Sequence, residues 1–296
     1  MRHCLRLFET FVGIIVVLSQ AAAYAADADL FDSGKLLATA GVTAIEGEGG
    51  GGITPWALIT GYETRDAIGA NAHYTYVSLP DFDVQSGGFA VGLFDRVELS
   101  YARLWFQTGD TGARLGLGRD FTFHEDVFGA KVRVIGDAVY EQDDWLPQLA
   151  LGLEYKQTDQ GNILTAIGAR NDHGVDFYAA ATKLFLSESL LVDVTLMETR
   201  ENQLGILGFG GNKSDAYSTE VAASAAYLVT RHLAIGAEYR TMPSNLSFSE
   251  QNAWKDAFIA YFLTKNASLT LAYVDAGTIA TVEDQHGFYL SLQTGF

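Results

Sequence analysis

Apolar and polar residues alternate one by one through most of this chain. From Gly287 to Phe296, one face carries Phe288, Leu290, Leu292, Thr294 and Phe296, and the other carries Tyr289, Ser291, Gln293 and Gly295. A strand turns successive side chains to opposite faces, so each such strip predicts one greasy and one polar surface. Residues 232–240 set Leu233, Ile235, Ala237 and Tyr239 against Ala234, Gly236, Glu238 and Arg240. Residues 148–156 set Leu149, Leu151, Leu153 and Tyr155 against Ala150, Gly152, Glu154 and Lys156. Residues 128–138 oppose Phe128, Ala130, Val132 and Val134 to Lys131, Arg133 and Asp137. Residues 68–76 oppose Ile68, Ala70, Ala72, Tyr74 and Tyr76 to Asn71 and His73. The charges sit mid-strand, behind the apolar face. In lipid, such charges must turn into a lumen.

Connections alternate between tight and long. Tight ones fall at Asp95-Arg96, Ser187-Glu188, Thr230-Arg231 and Thr264-Lys265, with another near 64–66. Long ones fall near 80–86, 107–126, 157–173, 201–215, 242–252 and 277–285. Short turns at one rim and long loops at the other are the rhythm of a transmembrane barrel. The pattern predicts an all-β, antiparallel, up-and-down transmembrane β-barrel of about fourteen strands. They are expected over 35–46, 53–62, 67–79, 84–94, 96–106, 127–141, 146–157, 174–186, 189–200, 216–229, 231–241, 253–263, 267–277 and 286–296. Each reaches the ~9–11 residues needed to cross at a tilt. Gly47 to Gly52 breaks the first two apart, and Pro55 lies inside the second. Twelve strands plus an inward hairpin is therefore the alternative. The facing of 96–106 is open: Arg103 shares one side with Leu99, Tyr101 and Trp105, and Glu98 shares the other with Ser100 and Ala102.

The N-terminus predicts export. Arg2 and Arg6 precede an apolar run over 11–18, and Ala23-Tyr24-Ala25 supplies a small-x-small cleavage pattern. The run fits a signal core and is too short to span a bilayer as a helix. The expected organisation is a signal peptide over 1–25 and one outer-membrane barrel domain over 26–296. Cys4, the only cysteine, falls in the signal, so the mature chain is expected to lack disulfides, thiolate metal sites and a Cys nucleophile. Losing Arg2, Arg6 and Glu9 takes the formal net charge from −17 to −18. That acidity argues against nucleic acid as a partner. The expected partners are outer-membrane lipid and the barrel-insertion machinery, which would read a C-terminal signal made by Phe288, Leu290, Leu292 and Phe296. Tyr62, Tyr76, Trp105, Tyr140, Trp145, Tyr155, Tyr227, Tyr239, Trp254 and Tyr273 are candidates for the aromatic girdles.

Several segments together resemble the family called domain of unknown function 3034, exported proteins of Gram-negative bacteria. They are 34–39 (Gly-Lys-Leu-Leu-Ala-Thr), the Gly-rich stretch into Pro55-Trp56-Ala57-Leu58, 128–131, 136–140, Trp145-Leu146-Pro147-Gln148, 174–178, 205–211 and Trp254-Lys255-Asp256. The resemblance covers essentially all of the mature chain. It implies an outer-membrane location and carries no activity or residue roles with it.

Candidate chemistry centres on the lumen. Asn71, His73, Lys131, Arg133, Asp137, Glu154, Lys156, Asp176, Asp193, Glu220, Glu238 and Arg240 are the expected lining. Such charges either screen solutes in a water-filled pore or form a stiffening ion-pair network. Eight strands are filled by their own side chains and sixteen leave a channel, so about fourteen predicts an open lumen unless a loop folds in. Two loops are the expected plugs: 107–126, and the unusually apolar Leu204 to Gly211. The expected function is a passive channel for small polar or amphipathic solutes, with a cation preference. The alternative is a plugged structural, ligand-binding or partner-binding barrel. An outer-membrane hydrolase built on Asn171-Asp172-His173 and Asp176 ranks last, because Ser187 belongs to the opposite end and a base needs its nucleophile. Neither catalysis, a metal nor a cofactor is expected, since His73, His124, His173, His232 and His286 are scattered without ligand spacing.

Overall fold

The structure, a computed structural model, describes residues 33–296. The signal-peptide expectation therefore lies outside the described residues. Two short strands come first, β1 (Val42–Thr43) and β2 (Gly49–Gly50), paired with each other and with no strand of the wall. Next come β3 (Ile68–Ser78), β4 (Asp83–Leu93), β5 (Val97–Gln107), β6 (Thr122–Ile135), β7 (Gln148–Thr158) and β8 (His173–Phe185). The last six are β9 (Leu190–Thr199), β10 (Ser218–Thr230), β11 (Leu233–Arg240), β12 (Trp254–Thr264), β13 (Ala267–Ile279) and β14 (Val282–Gly295). Strands β3 to β14 form a closed antiparallel barrel in chain order. The seam is β14 on β3, from Phe288↔Ser78 to Gly295↔Asn71. Closure satisfies every strand edge, which hydrocarbon requires because it offers no water to unpaired backbone.

The barrel thus has twelve strands, and the inward-hairpin alternative describes it. Residues 35–46 and 53–62 do not join the wall. They thread the lumen, with Ala44, Ile53, Thr54, Ala57 and Ile59 all 2% exposed or less. The reason is chemical. Glu46 and Glu48 would share one strand face, and the other would carry only Gly47, Gly49 and Gly51, which gives lipid nothing apolar to meet.

The other twelve expected strands are all present, the largest shift being the one expected over 127–141, which runs over Thr122–Ile135. One expected long loop, 277–285, is instead a tight turn, because β13 and β14 pair as far as Ile279↔Val282. That hairpin runs past its neighbours on both sides, whose pairing stops at Asp275 and Phe288. Polar residues there look like loop in the sequence yet sit in a projecting ribbon.

The wall's outer face is apolar: Phe89, Leu99, Phe128, Leu151, Phe177, Leu196, Ile259, Leu271 and Phe288 are all exposed. A water-facing monomer rarely exposes so continuous a band. On β5 the open question resolves with Glu98, Ser100, Ala102 and Leu104 inward and Leu99, Tyr101, Arg103 and Trp105 outward. Arg103 is accommodated outside by Asp126 of β6, at 3.3 Å, where Tyr101 also donates at 2.7 Å. Two girdle assignments are corrected. Tyr62 lies on the lumen segment, and Trp254 points inward, both buried. Tyr76, Tyr140, Trp145, Tyr227, Tyr239 and Tyr273 are exposed.

Candidate functional site: a plugged lumen

Residues 33–66 enter and leave the lumen at the short-turn rim, where a latch holds them. Lys35 donates to the carbonyls of Ile59 (2.8 Å) and Gly61 (3.2 Å) and pairs with Asp95 of the β4–β5 turn at 3.0 Å. The Tyr62 amide donates to the Phe296 carbonyl at 3.0 Å, tying the plug to the closing strand. Burial pushes the Glu63 carboxyl up to about 7, against the pull of Lys35 beside it.

Toward the long-loop end the plug turns apolar. Ile45 and Ile53 meet Leu204 and Ile206 around a void of about 20 Å³, also lined by Val77, Phe106, Trp254 and Tyr289. The loop over 204–211 is buried throughout, folding inward as one of the two expected plugs. The other, with helix α1 (Gly109–Arg114), stays at the rim with Leu115 exposed.

Beside this apolar tip, at the long-loop ends of β7, β8 and β11, lies a dense charge cluster. Lys156 of β7 contacts Glu46 of the plug, Glu201 at 2.5 Å, Asp176 at 3.0 Å and Glu154 at 3.3 Å. Arg240 of β11 bonds Glu46 and reaches Glu201 at 2.7 Å. All six side chains are 1% exposed or less. Opposite charges at this depth are strongly coupled, and each would be costly alone.

Most of the remaining wall contacts are to the plug's main chain. Glu98 accepts the amides of Gly49 (2.9 Å) and Thr60 (2.8 Å). Glu238 accepts those of Gly52 (2.6 Å) and Ile53 (3.0 Å), plus the Ser224 hydroxyl at 2.8 Å. Lys131 donates to the carbonyls of Gly49 and Leu58, both at 2.7 Å. Gln293 accepts the Thr43 amide at 3.0 Å and donates to its carbonyl at 3.3 Å. Thr182 accepts the Ala57 amide at 2.7 Å while Gln148 donates to its carbonyl at 2.6 Å. The glycine run permits this approach. A Cβ on Gly51 would lie 1.7 Å from Glu238 Oε1, and one on Gly47 would lie 2.9 Å from the Ala102 side chain.

The structure brings together Glu154, Lys156, Asp176 and Arg240 around Glu46, and sets Lys131 and Glu238 on the plug backbone. Asp193 accepts from Thr182 (2.5 Å) and Thr195 (3.0 Å), behind the Ala57 contact. Arg133 and Asp137 lie at the short-turn rim, where Arg133 pairs with Asp95 at 2.8 Å. His73 is buried on Ser86 at 3.2 Å, and Asn71 is half-buried. Glu220 is half-buried away from the cluster, bonded by Ser218 at 3.0 Å. Sequence reasoning missed Glu46, Glu201, Gln148 and Gln293. Glu46 had a signal, a carboxylate beside a glycine run; the two glutamines had none.

His173 stands outside this site, exposed at the long-loop rim. Its ring reaches Asp172 at 2.7 Å, whereas Asp176 is buried in the lumen. His173→Ala should change unfolding free energy by within about 0.5 kcal/mol, as surface substitutions do, and leave any conductance unchanged. Urea unfolding in detergent and bilayer recording check both. Among the described residues, no three His, Asp or Glu side chains are set to hold a metal ion.

Among solved structures, the KdgM porin in complex with disordered oligogalacturonate is similar at a TM-score of 0.51 and 10% identity, covering 76% of this chain and 99% of that one. The NanC porin aligns at 0.48 and 6% identity over 76% and 98%. The COG4313 outer membrane channel from Pseudomonas putida F1 aligns at 0.43 and 16% over 77% and 94%. The KdgM likeness is one of fold. No curated protein sequence matches the chain. A family model described as "Protein of unknown function (DUF3034)" matches residues 39–293. The match runs from the plug to the closing strand, and the chain belongs to that family.

Proposed function

We propose that this protein is an outer-membrane channel held shut by its own N-terminal segment, passing small polar solutes, cations preferentially, when the plug yields. One observation carries the reading: all twelve wall strands pair with one another and none pairs with the plug. Closure of the barrel does not require the segment that fills it. Twelve strands exceed the eight that fill themselves with side chains, so withdrawing the plug would leave space.

The wall's charge supports the cation preference. Asp95, Glu98, Glu125, Asp137, Glu154, Asp176, Asp193, Glu201, Glu238 and Asp256 are buried inside, against Lys131, Arg133, Lys156 and Arg240. An oligogalacturonate, the ligand in the KdgM complex, carries carboxylates that such a wall would repel. In planar bilayers under a salt gradient, the opened barrel should show a cation-selective reversal potential that fades as ionic strength rises. An anion-selective or non-selective pore would remove the charge argument.

The outward strip Phe288, Leu290, Leu292 and Phe296 is proposed as the insertion signal. Phe296→Asp should sharply reduce membrane-inserted protein while export continues, read from the heat-shifted gel band in membrane fractions. Full insertion of that variant would refute the assignment.

A further inference from the structure

The plug is held by its backbone more than by its side chains, and this bears on what an opened lumen would bind. We propose that the vacated lumen is a binding site for short, glycine-rich peptides in extended form, for which the plug is the resident competitor. The inference rests on the plug being displaceable. Its warrant is the chemistry of the contacts. Gln293 takes both the amide and the carbonyl of Thr43, an amide pairing with an amide (3.0 and 3.3 Å). Thr182 and Gln148 divide the same two groups of Ala57 (2.7 and 2.6 Å). Glu98 and Glu238 each accept two backbone N–H groups. A donor N–H and an sp² acceptor repeating along one chain is the signature of a peptide, and a sugar offers hydroxyls in its place. Main-chain hydrogen bonds supply affinity in extended-peptide recognition, while side-chain space sets specificity. Here that space is closed at Gly51, whose Cβ would strike Glu238. Small residues are therefore required at the centre.

The test uses barrels opened in two ways, by deleting residues 34–62 and by Gly51→Leu in the full chain. Hexaglycine and hexasarcosine are added to conducting channels. Hexasarcosine has the same length and carbonyls, but its internal nitrogens are methylated and cannot donate. Hexaglycine should block at a concentration about tenfold or more below hexasarcosine, since hydrogen bonds to carboxylates are among the stronger ones. Equal block by both, or no block by either in a conducting barrel, overturns the peptide assignment alone. Silence of both opened barrels removes the channel reading and the inference with it.

Discussion

Gly51→Leu should turn a closed barrel into a leaky one. The first side-chain carbon at this position would lie 1.7 Å from Glu238 Oε1. Glu238 cannot swing away freely, because Ser224 and the amides of Gly52 and Ile53 hold both of its oxygens. The strand beneath is fixed by Glu238↔Asp256 and Ser224↔Glu238 pairing. The plug, anchored at one rim, is the part that must give. It would lose its bonds to Glu238 while the twelve paired strands stay closed. Proteoliposomes carrying Gly51→Leu should swell in a small polar solute, and wild-type ones should not. An unchanged swelling rate, with the variant folded, would mean that the plug does not stopper the lumen.

Lys156→Met should be the most destabilising single change in the molecule. The ammonium is fully buried amid Glu46, Glu154, Asp176 and Glu201. Methionine keeps the volume and removes the charge; Arg240 still meets Glu46 and Glu201, but Glu154 and Asp176 lose the cation they pair with. Breaking a buried ion pair by removing one partner costs about 3–5 kcal/mol. Urea unfolding followed by gel mobility should show a loss of that order. Adding Glu46→Gln to the variant should recover part of it, since residues in direct contact are not additive. A loss within surface range, about 0.5 kcal/mol, would show that the cluster is not the charged junction described.

The wall was largely legible because lipid imposes a simple rule on it. Residues 148–156 and 232–240 show it plainly, apolar outside and charged inside. The rule fails where both faces are alike. On β12, Trp254, Phe258, Ala260 and Phe262 alternate with Ala257, Ile259, Tyr261 and Leu263. On the inward set Trp254 meets the plug's Ile45 and Ile53, a contact that spans about two hundred residues of sequence. Arg103 left the facing of 96–106 open for a related reason, since its partner Asp126 is found only by strand register. The plug itself was half visible. An extended segment alternates whether it crosses lipid or fills a lumen, so 35–46 and 53–62 read as strands. What set them apart was the missing apolar strip from Gly47 to Gly52. The backbone contacts of Glu98, Gln148 and Gln293 had no trace in the sequence, because any plug residue offers the same amide.

Single-channel recording in planar bilayers, comparing the intact chain with the same barrel lacking residues 34–62, bears most directly on the central claim. The plugged-channel account predicts a silent or rarely opening intact protein and steady, cation-selective conductance once the plug is gone. A folded, inserted, plug-deleted barrel that stays silent would contradict it, as would an intact protein that conducts as freely as the deleted one.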